Sequence, residues 1–330
     1  MSSIGVKIAG TGSYLPEKVL TNHDLEAMVD TSDDWIRTRT GILERRIAED
    51  DEPTSGLGAK AALKAIEAAA VRPEDIELII VATITPDKRF PNTACYIQHQ
   101  IGTANATCFS VEAACSGFVY ILEIGASLIK TGAFRNALLV GAEKLSSVVN
   151  WEDRTTCVLF GDGAGAAVLT ACPPDENSYI SSQLGSDGRY ADILHIPGGG
   201  SAMPFSRKVL DDKLQYLEMS GQEVFKLAVN TMTTAAVQTL TKGNVEVGDV
   251  RWLIPHQANT RILTSVGKRL GLPDERIFIN LQRYGNTSGA SIPIALDEVV
   301  SGGQVAPGDY ILLVAFGGGL TWGANLIRWQ

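Results

Sequence analysis

The sequence predicts an α/β protein made of two copies of one unit. Three observations carry this. Short β-rich apolar runs alternate with alanine-rich helical stretches; the strands are apolar along their whole length; and one pattern of strand, elbow, helix and strand recurs at matched spacing.

In chain order, the first half reads GVKIAGTG (5–12), GLGAKAALKAIEAAA (56–70), IELIIVATIT (76–85), FVYILEIGASLIKTG (118–132) and ALLVGAE (137–143). A continuous run such as LIIVAT has no polar face to give to water, so it implies a sheet covered by helices on both sides. The repeat joins this half to the next. Residues 78–170 hold a strand, the small-residue elbow AACSGF, a helix ending near Thr131-Gly132, the strand ALLVGAE and then FGDGAGAAVLT. Residues 251–329 hold the strand RWLIP, the elbow YGNTSGA, a helix ending near Gly302-Gly303, the strand YILLVAF and then GGGLTWGANLIRW. Ser116 to Lys130 is 14 positions, as is Ser288 to Gly302; Val81 to Cys115 is 34, against 32 from Ile254 to Asn286. Two fused halves are therefore expected, residues 1–172 and 173–330. Within the second, residues 173–218 are rich in Gly, Pro, Asp and Ser and read as loops covering a site, with a short extended piece.

At 330 residues the chain fits one large domain or two of about 150–170 residues. A net charge of −9 argues against nucleic acid as the main partner, because neutralising phosphates takes an excess of Lys and Arg. The five cysteines show no CxxC spacing, so neither a disulfide framework nor a metal site is expected. The opening MSSIGVKIAG reads as a strand and not as a signal peptide, and no apolar run reaches the roughly 18 residues of a membrane span. A cytoplasmic protein with reduced thiols is expected, bound neither to membrane nor to nucleic acid.

Cys115 stands between Ala113-Ala114 and Ser116-Gly117, directly before a helix. The small residues permit a tight turn, and the helix aims its free N–H groups and positive end at the sulfur. That arrangement is expected to lower the thiol pKa and make Cys115 a nucleophile. The competing reading is a buried packing cysteine, which suits Cys95, Cys108, Cys157 and Cys172. His256 ends the strand RWLIP, and strand C-terminal ends are where α/β proteins hold ligands. Asn286 lies in the second elbow, where Cys115 lies in the first, so the two elbows are expected to face one pocket. The segments Gly161–Gly165 and Gly317–Gly319 lead into strands, whereas phosphate loops open helices. A bare backbone N–H at such a turn suits an oxyanion hole better.

The segments DTSDDWIRTRTGI, RFPNTAC, AACSGF, DRTTCVLFGDGAGAAVL, SGQEVFK, PHQAN, YGNTSGASIP and FGGGLTWG, in that order, resemble the thiolase-like condensing enzymes, specifically the β-ketoacyl-[acyl carrier protein] synthase III family. The resemblance covers nearly the whole chain. It implies a thiolase-like fold, with duplicated βαβαβαββ halves in a five-layered α-β-α-β-α core. It also implies that Cys115 takes an acyl group from an acyl-CoA, and that His256 and Asn286 then donate hydrogen bonds to the thioester carbonyl of malonyl-[acyl carrier protein]. The oxyanion hole would be the N–H groups of Cys115 and Gly318. Coenzyme A would be held by Trp35 and Arg154 around the adenine, with Thr31, Arg39, Gly221, Phe225 and Asn259 near. Phe90 would enter the acyl pocket of the second subunit of a homodimer. No cofactor is implied beyond the thioester substrates.

Elongating synthases pair two histidines with the cysteine, and degradative thiolases need a second cysteine near the C-terminus; neither is present here. Plant-type polyketide synthases share the Cys-His-Asn set, and a cysteine-dependent thioester hydrolase is a further alternative. Two positions depart from the family's usual residues. Ser110 stands where Asp is usual, and Gly289 where Ala is usual, both near the implied acyl pocket. Arg261, Lys268 and Arg269 lie at i, i+7 and i+8 on one helix face, and with Lys226 are expected to form a positive patch for an acidic carrier protein.

Overall fold

A computed structural model describes residues 4–330; of the MSSIGVKIAG stretch, residues 1–3 lie outside the described residues. The first half runs β1 (Gly5–Tyr14), α1 (Thr54–Ala68), β2 (Leu78–Ala82), α2 (Thr93–Ile101), β3 (Thr107–Val111), α3 (Gly117–Lys130), β4 (Asn136–Glu143) and β5 (Gly163–Cys172). The second runs β6 (Tyr179–Ser186), α4 (Gly221–Gly243), β7 (Val250–Pro255), α5 (Thr260–Leu270), α6 (Ser291–Ser301), β8 (Tyr310–Gly317) and β9 (Thr321–Arg328).

The first sheet has the order β1-β5-β4-β2-β3, and the second β6-β9-β8-β7. Corresponding neighbours pair the same way. β2 with β4 and β7 with β8 are parallel, while β4 with β5 and β8 with β9 are antiparallel. The second sheet has no full counterpart of β3; its place is marked by a single bridge between Leu253 and Ile277.

Strand periodicity builds the layers. In β2, Leu78, Ile80 and Ala82 point inward to Phe118 and Leu122 of α3, while Ile79 and Val81 point outward to Leu57, Ala61 and Ile97 of α1 and α2. In β8, Ile311, Leu313 and Ala315 face the same central layer, and Leu312, Val314 and Phe316 face Met232 and Leu263 of α4 and α5. Helices α3 and α6 thus lie between the sheets, giving the five-layered α-β-α-β-α arrangement. Backbones approach closely where the halves meet: a Cβ on Gly141 would stand 2.4 Å from the carbonyl oxygen of Gly289.

The segment 173–218 is more ordered than its composition suggests. It contributes β6, an edge strand of the second sheet paired with β9. Its later part forms a two-residue pairing, Leu194–His195 with Glu218–Met219, over the cavity described next.

Candidate active site

Both elbows turn on a residue in left-handed backbone, Ala114 at φ 46° and Ser288 at φ 48°. Each opens a short 3-10 turn that feeds a central helix. Helix α3 has 14 residues and α6 has 11, so the repeat can be registered from either end. Registered on the glycines that follow the helices, Gly132 and Gly303, Cys115 matches Asn286, as the spacing suggested. Registered on the left-handed residues, it matches Gly289. Asn286 therefore reaches the site from just upstream of its elbow, not from the position equivalent to the sulfur.

A cavity of about 710 Å³ is lined by Cys115, His256, Asn286 and Gly318. The structure thus brings together four residues that come from strand ends and elbows in both halves. Leu145, Phe160, Leu217, Met219 and Phe316 supply apolar walls. A Cβ on Gly317 would stand 2.6 Å from the Cys115 nitrogen, so a bare glycine is needed to let β8 end beside the elbow. Among the described residues, no three His, Cys, Asp or Glu side chains come close enough to hold a metal ion, and no helix is long and apolar enough to cross a membrane.

Cys115 is 8% exposed, and the N-terminus of α3 behind it carries no side-chain cap. The thiol is nevertheless not lowered as expected. Burial pushes it up to about 12, with Glu143 adding to the rise, while the Ser288 hydroxyl and the backbone N–H of Cys115 itself act the other way. Desolvation of a thiolate outweighs the helix field in this buried setting.

His256 follows β7, its backbone N–H donating to Val314 O at 2.8 Å. Its Nδ1 lies 2.7 Å from Ser291 Oγ at the start of α6. That oxygen accepts from the Gln257 N–H at 3.3 Å, and its own proton has Nδ1 as the acceptor within reach. The ring then carries its proton on Nε2. Burial alone drives His256 down to about 3, so the ring stays neutral and acts as a donor. Gln257 holds this loop by donating to Pro255 O and Phe278 O at 2.8 and 3.0 Å and accepting from the Asn280 N–H at 2.9 Å.

Asn286 is clamped by its backbone to the other half, donating to Leu159 O at 2.8 Å and accepting from the Gly161 N–H at 3.0 Å. Its Oδ1 accepts from the Ser288 N–H at 2.8 Å. The amide orientation is thereby fixed, and the NH2 group is left as the available donor. Two neutral donors, His256 Nε2 and Asn286 Nδ2, share one cavity with the thiol.

The residues assigned to coenzyme A fall into two groups. Gly221, Phe225 and Asn259 line the cavity. Trp35, Arg39 and Arg154 gather outside it, the Arg39 and Arg154 guanidinium carbons lying 5.0 and 5.2 Å from the Trp35 ring centre; Thr31 does not line the cavity either. Asn259 links the groups. Its Oδ1 caps α5 by accepting from the Arg261 N–H at 2.9 Å, and its Nδ2 donates to Arg39 O at 3.0 Å. Helix α5 therefore begins at Thr260. Phe90 is 87% exposed and does not line its own cavity. Lys226, Arg261, Lys268 and Arg269 are all exposed, and none forms an ion pair among the described residues. Ser110 lines the cavity and donates to Asn92 Oδ1 at 3.4 Å.

Sequence reasoning passed over Ser291, Gln257 and Glu143. Ser291 and Gln257 lie inside recognised segments but act chiefly on partners far along the chain, His256 for Ser291 and Phe278 and Asn280 for Gln257, so nothing local marks them. Glu143 carried a signal: an acidic residue closing an otherwise apolar strand. It is fully buried, accepting from Thr83 Oγ1, Thr85 Oγ1 and the Ile84 N–H at 3.1, 2.7 and 3.1 Å.

Comparison with known proteins identifies the family. Residues 109–188 and 240–329 match the models of 3-oxoacyl-[acyl-carrier-protein (ACP)] synthase III and of its C-terminal part. The β-ketoacyl-[acyl-carrier-protein] synthase III of Caldanaerobacter subterraneus is 52% identical over 329 residues, covering 99% of this chain and 98% of that protein. The crystal structure of the Aquifex aeolicus 3-oxoacyl-[acyl-carrier-protein] synthase III superposes with a TM-score of 0.91 at 48% identity, over 98% of this chain and all of that one. The priming β-ketosynthase of the R1128 polyketide pathway superposes at 0.92 with 35% identity, over 99% of this chain and 97% of that one. By its sequence over nearly its full length, by its fold and by the residues gathered in its cavity, this chain belongs to the β-ketoacyl-[acyl-carrier-protein] synthase III family of condensing enzymes.

Proposed function

We propose that Cys115 accepts an acyl group from a short acyl-CoA such as acetyl-CoA, and that malonyl-[acyl carrier protein] then enters the same cavity. Family membership makes the protein an acyltransferase-type condensing enzyme of the initiating step in fatty acid biosynthesis. In the first half-reaction the sulfur attacks the thioester carbonyl, the N–H groups of Cys115 and Gly318 hold the oxyanion, and coenzyme A leaves. In the second, malonyl thioester loses carbon dioxide while His256 Nε2 and Asn286 Nδ2 stabilise the enolate oxygen. The carbanion attacks the acyl-cysteine, releasing 3-oxoacyl-[acyl carrier protein] and free Cys115. Neutral donors suit a developing oxyanion because they supply hydrogen bonds without taking part in proton exchange. The observation that carries this reading is the pair of fixed neutral donors beside one buried thiol. The reaction is redox-neutral and calls on no cofactor beyond its two thioesters.

Gly221, Phe225 and Asn259 are proposed to guide the pantetheine arm inward. Trp35, Arg39, Arg154 and Thr31 would receive the nucleotide end, with Arg154 moving off the Trp35 face to admit the adenine. The exposed patch of Lys226, Arg261, Lys268 and Arg269 is proposed to dock the acidic carrier protein. A homodimer is supported by the unpaired outer edge of β3 and the exposed Phe90, which would close the partner subunit's pocket. Cytoplasmic location accords with these substrates.

The test is to incubate the protein with a panel of acyl-CoAs, weigh it intact, and then add malonyl-[acyl carrier protein]. A stable adduct on Cys115 that is discharged as 3-oxoacyl product is expected, and the acyl-CoA that reacts fastest names the primer. No adduct with any acyl-CoA would remove the central step. The likeness to a polyketide priming synthase supports a second reading, in which the primer serves polyketide assembly, and the same panel separates the two by primer preference.

A further inference from the structure

The reaction leaves one proton unassigned: the one on Cys115. His256 is a donor on Nε2 and neutral, so it does not receive that proton. Glu143 offers an alternative. It closes β4 between the two elbows, 0% exposed, at the position that Gly317 holds on β8. Its two oxygens are unequal. Oε2 accepts from Thr83, Thr85 and Ile84, whereas Oε1 has only the Ile84 N–H at 3.3 Å. Oε1 faces the second elbow, 3.4 Å from where a Cβ on Gly289 would stand. Beside Gly289, the Ser288 hydroxyl is 1% exposed and completes no hydrogen bond of good geometry. It lines the same cavity as Cys115, and it draws down both the thiol and the Glu143 carboxyl. A buried hydroxyl without a partner, between a thiol and a carboxylate oxygen with room for a donor, is a path for a proton.

We propose that Ser288 and Glu143 carry the proton away from Cys115 during acylation, Ser288 taking it from the sulfur and Glu143 acting as a positioning and accepting residue through it. As the S–C bond to the acyl carbon forms, the Cys115 S–H bond breaks and its proton passes to Ser288 Oγ, whose own proton passes to Glu143. The C–S bond to coenzyme A breaks with its electron pair on the leaving thiolate, which takes a proton from water. Glu143 then returns its proton to solvent. This rests on the proposed acylation from an acyl-CoA.

The charged surroundings are sparse. Burial raises Glu143 to about 7. From the first elbow, the exposed Glu112 adds to the rise of the thiol alongside Glu143. Lys144, next in sequence, turns its ammonium away to the carbonyls of Glu49 and Glu52 at 2.6 and 2.9 Å. The accepting carboxylate therefore grows in as pH rises through about 7, and acylation should rise with it.

The experiment follows single-turnover acylation of Cys115 by intact mass from pH 5.5 to 9, in the wild type, Glu143→Gln, Ser288→Ala and the double variant. Alkylation of Cys115 by iodoacetamide, which needs the same deprotonation but no coenzyme A, is measured in parallel. Thermal melting confirms that each variant is folded. Expected is a wild-type rise through pH about 7 in both reactions, lost in either single variant together with roughly tenfold of the rate at pH 7.5, and no further loss in the double variant. The relay is overturned if the variants keep the wild-type pH profile at a uniformly lower rate, if the two losses multiply, or if Glu143→Gln alkylates faster than wild type at pH 7, as simple removal of a negative charge would produce. A wild type that forms no acyl adduct refutes the proposed function instead, while the alkylation profiles still judge the relay.

Discussion

The elbow at Ala114 and the elbow at Ser288 follow the same backbone path, yet the first carries a sulfur at its tip and the second a glycine. The strands that end beside them differ in the same sense: β4 closes on the buried carboxyl of Glu143, and β8 on the bare backbone of Gly317. The connections that follow differ too. Residues 144–162 form a long excursion carrying Arg154 to Trp35, whereas residues 318–320 form a tight turn that sets Gly318 in the cavity. The duplicated frame keeps its shared strand pairings and differs at the elbows and strand ends that face the cavity. The first half supplies the nucleophile, and the second supplies donors for the other substrate. Function comes from the asymmetry; the symmetry supplies the rigid positions at which it is displayed.

This division can be broken at its strongest point first. Cys115→Ala should abolish the acyl adduct and lower condensation by a factor on the order of 10³ or more. Intact mass with acyl-CoA checks it, and an adduct on Cys95, Cys108, Cys157 or Cys172 would mean that the first elbow has been misread. Next in size, Asn286→Ala should leave acylation within a few-fold while lowering condensation by about 10²–10³, the usual cost of one oxyanion donor. Equal loss in both half-reactions would show that the labour is not divided between the halves.

The packing between the halves is tested by Gly141→Ala, whose Cβ would be driven toward the Gly289 carbonyl. A loss of about 2 kcal/mol is expected from overpacking, read as a drop of several degrees in melting temperature. Gly188→Ala, in open space, should show none. The smallest effect concerns the surface. Arg261→Glu should raise KM for malonyl-[acyl carrier protein] a few-fold, lessening with added salt, and leave acylation by acyl-CoA unchanged. Loss of both steps together would exclude a docking role.

Much of the frame was legible because burial on both sides of a sheet leaves a plain mark, as in LIIVA and YILLVAF. The elbows were legible because small residues before a helix are unusual without a reason. Three things were hidden. The register of the repeat depends on α6 being shorter than α3, which spacing measured from one end conceals. The thiol was expected to be lowered by its helix, because the helix is local in sequence while the desolvation that overrides it comes from elements across the fold. Ser291 beside His256 and the paired guanidinium groups on Trp35 arise from segments far apart along the chain, and no window of sequence contains both members.

The central layer also sets a timetable for synthesis. Every strand of the first sheet is complete by Cys172, but α6, which shares the layer beneath it with α3, does not end until Ser301. At ~5–20 residues per second a ribosome needs on the order of ten seconds to cover that interval. Throughout it, the inward side chains of Ile80, Ala82 and Leu139 have only part of their cover. The first half is thus born as a sheet with an open apolar face, and a chain halted before α6 should bind chaperones or aggregate while the finished one does neither.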